Sequence, residues 1–224
     1  MDYQDDYLFP GDEDFEVDVA ALEEIYQIKN VDGCDSWKLK VLKCAILSYH
    51  AIPIVKDFCK SKGALIGRVP GRLEIFYFAE SQLIGILCLE RWVESESILA
   101  QNIWRFIGKC ESILNVECTS AAGDFPRLEF ATTADNEKFP GWASKETREH
   151  ATVATEIFKL AKNENIKCSI HRLIYQGYRP SISSMMELAA TLPSDLEIPS
   201  LSIEEMRKSQ SKHLVFEEAA VMYL

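Results

Sequence analysis

The chain has 224 residues, 47% of them hydrophobic and 26% charged, with a net charge of −11 at pH 7. That balance excludes an intrinsically disordered protein, and no apolar run approaches the roughly 20 residues needed to cross a bilayer as a helix. The charge is also unevenly placed. Asp2, Asp5, Asp6, Asp12, Glu13, Asp14, Glu16, Asp18, Glu23, Glu24 and Asp32 face a single Lys29 in the first 32 residues, so the remainder is nearly neutral. Such an asymmetry draws the N-terminal segment towards basic surfaces and repels it from phosphate backbones, so direct nucleic-acid binding is not expected from it.

The start, Met-Asp-Tyr-Gln-Asp-Asp, lacks the basic and apolar regions of a signal peptide. Cys34, Cys44, Cys59, Cys88, Cys110, Cys118 and Cys168 are odd in number and mostly embedded in apolar runs, the habit of reduced core thiols. No C-x-x-C pair points to zinc. An intracellular protein, cytoplasmic or nuclear, with no metal and no cofactor is the expectation.

Residues 1–32 read as an acidic leader containing one short amphipathic helix. Tyr3, Tyr7, Phe9 and the Pro10–Gly11 break precede a helical spacing of Phe15, Val19, Leu22, Ile25 and Tyr26, with Asp14 placed to cap it. A helix this short is marginal alone and needs a surface to lie on. Either it is a ligand for a partner's basic or apolar groove, with Phe15, Val19, Leu22, Ile25 and Tyr26 as anchors, or it packs permanently on its own domain.

Residues 33–192 read as a globular α+β domain: a short antiparallel meander packed against several helices. Asp35 or Ser36 is expected to cap a helix through Trp37, Leu39, Val41, Leu42, Ala45, Ile46 and Tyr49, ended by Pro53. A further helix is expected near Ile54–Ser61. The strongest β signal follows: Ala64–Val69, a Pro70–Gly71 turn, Arg72–Phe78 and then Gln82–Trp92. Ser95–Leu114 carries a wide apolar stripe and reads as the central helix. Asn115–Thr119 and Arg127–Thr133 are expected strands. A helix capped by Ser144 should run through Ala161, with Ile166–Tyr175 as a last strand and Ile182–Thr191 as a short helix.

Residues 193–224 read as a linker marked by Pro193 and Pro199, then a C-terminal helix opened by a Ser202/Glu205 capping box.

Few constellations point to chemistry. Arg68 and Arg72 flank the Pro70–Gly71 turn, where a guanidinium fork could grip a phosphate or a carboxylate, unless both are solvated strand ends. Glu146 and His150 have the spacing of an i,i+4 helix contact. Cys44 or Cys59 with His50 lacks the local signature of a thiol–imidazole couple. Lys38, Lys40, Lys43, Lys56, Lys60 and Lys62 would share one polar face if 37–62 were helical. No phosphate-cradling glycine motif is present.

The sequence therefore predicts a non-enzymatic interaction or assembly protein that engages its partner through the acidic leader and is capable of forming a homo-oligomer. The alternatives are a self-associating viral structural or accessory protein, and an enzyme with a site near Arg68 and Arg72.

Overall fold

The computed structural model describes residues 19–31, 39–91, 93, 95–108, 110–121, 126–134, 152–194 and 201–221. In chain order the elements are α1 (Val19–Ile25), β1 (Lys29–Asn30), β2 (Lys43–Leu47), a 3-10 helix (Tyr49–Ile54), α2 (Lys56–Lys62), β3 (Ala64–Val69), β4 (Leu73–Phe78), β5 (Leu83–Cys88), α3 (Glu96–Ile107), β6 (Ser112–Ser120), β7 (Arg127–Thr132), α4 (Val153–Asn163), β8 (Lys167–Tyr175), α5 (Ile182–Ala190) and α6 (Ile203–Val221). The fold is α+β. Its eight strands form one mixed sheet in the order β1-β3-β4-β5-β2-β6-β8-β7.

The predicted meander is present as β3, β4 and β5, paired antiparallel. Pro70 and Gly71 make its first turn: Gly71 takes φ +71° and Arg72 N donates to Val69 O at 3.0 Å. Proline at the first central position and glycine with positive φ at the second are the signature of a type II turn. The centre of the sheet is different. β2 runs parallel to both β5 and β6, and β6 runs parallel to β8.

The two faces of the sheet carry separate cores. Cys44, Ile46, Ile84, Ile86, Ile113 and Ile170 meet α1, α3 and α4 through Leu22, Tyr26, Leu99, Ile103, Ile157 and Phe158. Leu47, Leu87, Leu114, Val116 and Leu173 meet the 3-10 helix, α2, α5 and α6 through Ile52, Cys59, Met185, Leu188 and Met206. Strands covered on both faces bury every side chain and lose the polar–apolar alternation.

That burial overturns one expectation. The helix anticipated through Tyr49 is β2 over Lys43–Leu47 followed by a 3-10 turn, because Cys-Ala-Ile-Leu is buried on both sides of the sheet. The lysines between 37 and 62 consequently do not line one helical face. The central helix is also shorter than expected. α3 ends at Gly108, which adopts φ +61° and ψ −144°, and residues 112–114 belong to β6.

Side-chain caps fix the helix starts. Ser95 Oγ accepts from Ile98 N, and Thr152 with Thr155 forms a reciprocal capping box on α4. The anticipated cap Ser144 and the Glu146/His150 pair lie outside the described residues. Ser202 and Glu205 form the predicted capping box, at 2.7 and 3.2 Å. α6 is fastened to the domain by Met206, which is fully buried, and by Ser209 Oγ donating to Pro53 O at 2.8 Å.

Candidate functional site

The five anticipated anchors of the N-terminal helix separate on folding. Phe15 lies outside the described residues. Val19 and Ile25 are exposed, at 57% and 39%, whereas Leu22 and Tyr26 are buried in the domain core. Leu22 and Tyr26 are thus engaged by the chain itself: a seven-residue helix has too little internal hydrogen bonding to stand alone and takes the nearest apolar surface.

Arg72 secures this attachment. Its guanidinium lies 5.2 Å from the Tyr26 ring centroid, Nη1 donates to Tyr26 Oη at 3.4 Å, and it forms an ion pair with Glu90. Asn102 of α3 donates to Tyr26 O at 3.1 Å. Arg68 is exposed on β3, opposite Glu74 of β4, whereas Arg72 engages Tyr26 and Glu90. Arg72 already holds a carboxylate, and that carboxylate is Glu90.

A cavity opens at the C-terminal ends of the parallel strands, the usual crevice of α/β sheets. Its volume is about 440 Å³, and Ser48, His50, Glu90, Glu117, Thr152 and Tyr175 are among its lining residues. At its base Glu117 of β6 pairs with Arg172, its direct neighbour on β8, both buried. Thr152 Oγ1 donates to Glu117 Oε2 at 2.9 Å and Thr119 Oγ1 to Glu117 Oε1 at 3.1 Å. Glu117 therefore serves as the internal anion beside the N-terminus of α4, the place where a helix favours negative charge.

The His50 ring packs edge-on against Tyr49 and Tyr175, with centroids 5.0 and 5.7 Å away. The thiols near the cavity are poorly suited to nucleophilic work. Burial pushes Cys118 up, helped by the Glu117 charge, and burial with the Glu90 charge raises Cys88 to about 12. Cys44 is also pushed well up by burial and by its thiol neighbours, and burial raises Cys59 to about 12. A thiolate is the nucleophilic form, so these values favour structural roles. Among the described residues, no group of three or more His, Cys, Asp or Glu side chains has the arrangement of a metal site.

Sequence reading passed over Glu117 and Arg172. The available signal was a charge inside each of two apolar strand runs, Ile-Leu-Asn-Val-Glu-Cys and Ser-Ile-His-Arg-Leu-Ile. Long charged side chains are rarely buried without a partner, and two such interruptions suggest each other.

No family model and no curated protein matches the sequence. Solved structures do match the fold. PbaA of Pyrococcus furiosus, an archaeal homolog of proteasome-assembly chaperone, aligns with a TM-score of 0.54 at 12% identity, covering 81% of this chain and 95% of that one. PbaB of the same organism, an archaeal proteasome activator, gives 0.58 at 9% identity over 87% and 98%. A PAC2 family protein from Streptomyces avermitilis gives 0.50 at 8% identity over 79% and 95%. What is shared is the fold. No helix among the described residues is long and apolar enough to cross a membrane.

Proposed function

We propose that this chain is a non-catalytic assembly protein that holds protein subunits, of the proteasome kind, while a larger particle forms. The observation that carries this reading is the likeness, over more than four fifths of this chain and nearly all of theirs, to PbaA, an archaeal homolog of proteasome-assembly chaperone, and PbaB, an archaeal proteasome activator. The cavity chemistry agrees with it. Glu117 is occupied by Arg172 and two threonine hydroxyls, and Glu90 by Arg72.

The contact with the partner is assigned to the acidic N-terminal segment. Residues 1–18 hold eight carboxylates and no lysine or arginine, a charge pattern suited to fast capture of a basic surface. Phe15 with the exposed Val19 and Ile25 supplies apolar contact beside that charge. Leu22 and Tyr26 hold the base of the segment on the domain.

The test is direct binding of the purified full chain to purified proteasome α- and β-subunits, followed by native electrophoresis and light scattering. A stoichiometric complex that weakens with salt is expected. Absence of binding to every subunit at tens of micromolar would sink the reading.

A further inference from the structure

A basic strip runs along the face of the sheet that carries α2. Lys29 and Arg68 oppose each other directly across the β1–β3 pair, and both are exposed. Like charges placed opposite one another on a sheet are unfavourable unless something compensates them. On its other side Arg68 is opposed by Glu74 of β4. Glu74 acts in turn on Lys56 at the start of α2, together with Lys60, Asp57 and Lys212. Burial is the first cause that holds Lys56 below its ordinary value, and the Lys60 ammonium is the second. Lys212 Nζ stands 3.5 Å from Asp57. Five cations thus share the strip with two carboxylates, in a chain whose net charge is −11.

The complementary charge is covalently close. Residues 1–18 join the body at Val19, and the intervening chain puts that junction within about 25 Å of Lys29. α1 packs on the opposite face of the sheet from α2, so the segment has to pass around the β1 edge, and eighteen residues extend up to about 60 Å, long enough to do so. A tether of this length gives an effective concentration on the order of 1 mM, so even a millimolar contact is substantially occupied.

We propose that residues 1–18 dock on the strip formed by Lys29, Arg68, Lys56 and Lys60 of their own chain, and are released when a more strongly basic partner surface competes for them. The acidic segment is then both the handle and its own cover. The inference extends the reading of that segment as a partner-binding handle. Its test uses the chain alone, so the two fail separately: subunit binding without docking, or docking without subunit binding.

Zero-length carbodiimide cross-linking of the dilute full chain, followed by peptide mass spectrometry, reads the contact. Amide links from Lys29, Lys56 or Lys60 to carboxylates of residues 2–18 are expected at 0.05 M NaCl. Their yield should fall at least about fivefold at 0.5 M NaCl, where screening is far shorter in range. Arg68→Glu, which removes no cross-linkable amine, should lower the yield similarly while the thermal melt stays unchanged. Lys60→Gln should shift links to Lys29 and Lys56, so the proposal does not rest on one variant folding. Links absent, or spread evenly over lysines elsewhere, overturn it. So do links found between isotopically light and heavy copies in a mixed sample, which would put the segment on a second molecule.

Discussion

Arg72 grips Tyr26 in two ways, its guanidinium stacked 5.2 Å from the ring centroid and its Nη1 donating to the phenolic oxygen. The pair joins the N-terminal helix to the meander, since Tyr26 follows α1 directly and Arg72 stands at the turn into β4. It also divides the N-terminal region into two functional parts. Leu22 and Tyr26 belong to the core, and the exposed Val19 and Ile25 with the eight carboxylates before them are what is left for another surface.

Removing the ring should therefore release α1. Tyr26→Ala is expected to cost about 3–5 kcal/mol, the usual range for emptying a buried aromatic site. Tyr26→Phe keeps the stacking and loses one hydrogen bond, a cost of about 1 kcal/mol or less. Urea titration measures both, and amide exchange at Leu22–Tyr26 should accelerate in the alanine variant well beyond the rest of the domain. Equal costs for the two variants would show that the ring contributes little.

The Glu117–Arg172 pair should behave as a buried unit. Glu117→Gln or Arg172→Met alone leaves one buried charge without its counterpart and is expected to destabilise by about 3–5 kcal/mol. The double variant should cost clearly less than the two singles combined, which a double-mutant cycle on unfolding free energies measures. Strict additivity would mean that the threonine hydroxyls, not the pair, set the energetics.

Much of the meander was legible because its signals are local: Pro70–Gly71 forms a turn by its own backbone preferences, and Ser202 and Glu205 cap each other across three residues. β2 was illegible for the opposite reason. Its identity as a strand comes from β5 and β6 on either side, and burial on both faces erased the alternation that marks a half-exposed strand. Leu22 and Tyr26 carry the same ambiguity, since their helical spacing serves a neighbour and their own domain equally well. Glu117 and Arg172 sit 55 residues apart, so their pairing is a property of strand order and not of either segment.

His171 supplies a pH dependence with a definite sign. Burial lowers its pKa from the ordinary 6.5, and its Nδ1 lies 3.0 Å from Thr191 Oγ1 while Phe130 packs edge-on against the ring. The unfolded chain then binds the proton more readily than the folded one. The neutral-ring contribution should be fully present above about pH 6.5 and be lost as the pH falls from there through the lower folded value. Carboxylates titrate lower, so the comparison is wild type against His171→Gln between pH 7.5 and 5. The variant's stability should fall less over that interval, and parallel curves would refute the assignment.

The six described cysteines should be chemically quiet in the folded state. Burial raises Cys59 and Cys88 to about 12 and Cys110 to about 11, and pushes Cys44, Cys118 and Cys168 upward as well. At pH 8 a disulfide reagent should label these six at rates limited by opening of the domain, accelerating together in denaturant. Cys34, outside the described residues, is the internal comparison. Fast labelling of Cys88 or Cys118 in the native protein would contradict the burial argument at the cavity.

Gly108 decides where α3 stops, and its replacement tests backbone strain apart from crowding. A Cβ there would meet nothing within 4 Å, so the cost of Gly108→Ala comes from φ +61° and ψ −144° alone. That combination lies outside the left-handed helical well, so asparagine should be no better tolerated than alanine, each costing about 1–3 kcal/mol. Gly63→Ala is the contrast: its φ of −91° is ordinary, but the new Cβ would stand 2.9 Å from Cys59 O and 3.0 Å from Phe76 Cβ. Shrinking Phe78, whose ring tip also lies 3.0 Å from that Cβ, should recover only part of the loss, because Cys59 O is backbone and stays in place. No such partner exists for Gly108, where only glycine removes the strain. Without that stop the apolar stripe of α3 continues in phase into Ile113 and Leu114, so the substitution sets helix extension against the first residues of β6. Thermal unfolding of the three variants separates the two causes, and rescue of Gly108→Ala by a packing change would refute the backbone account.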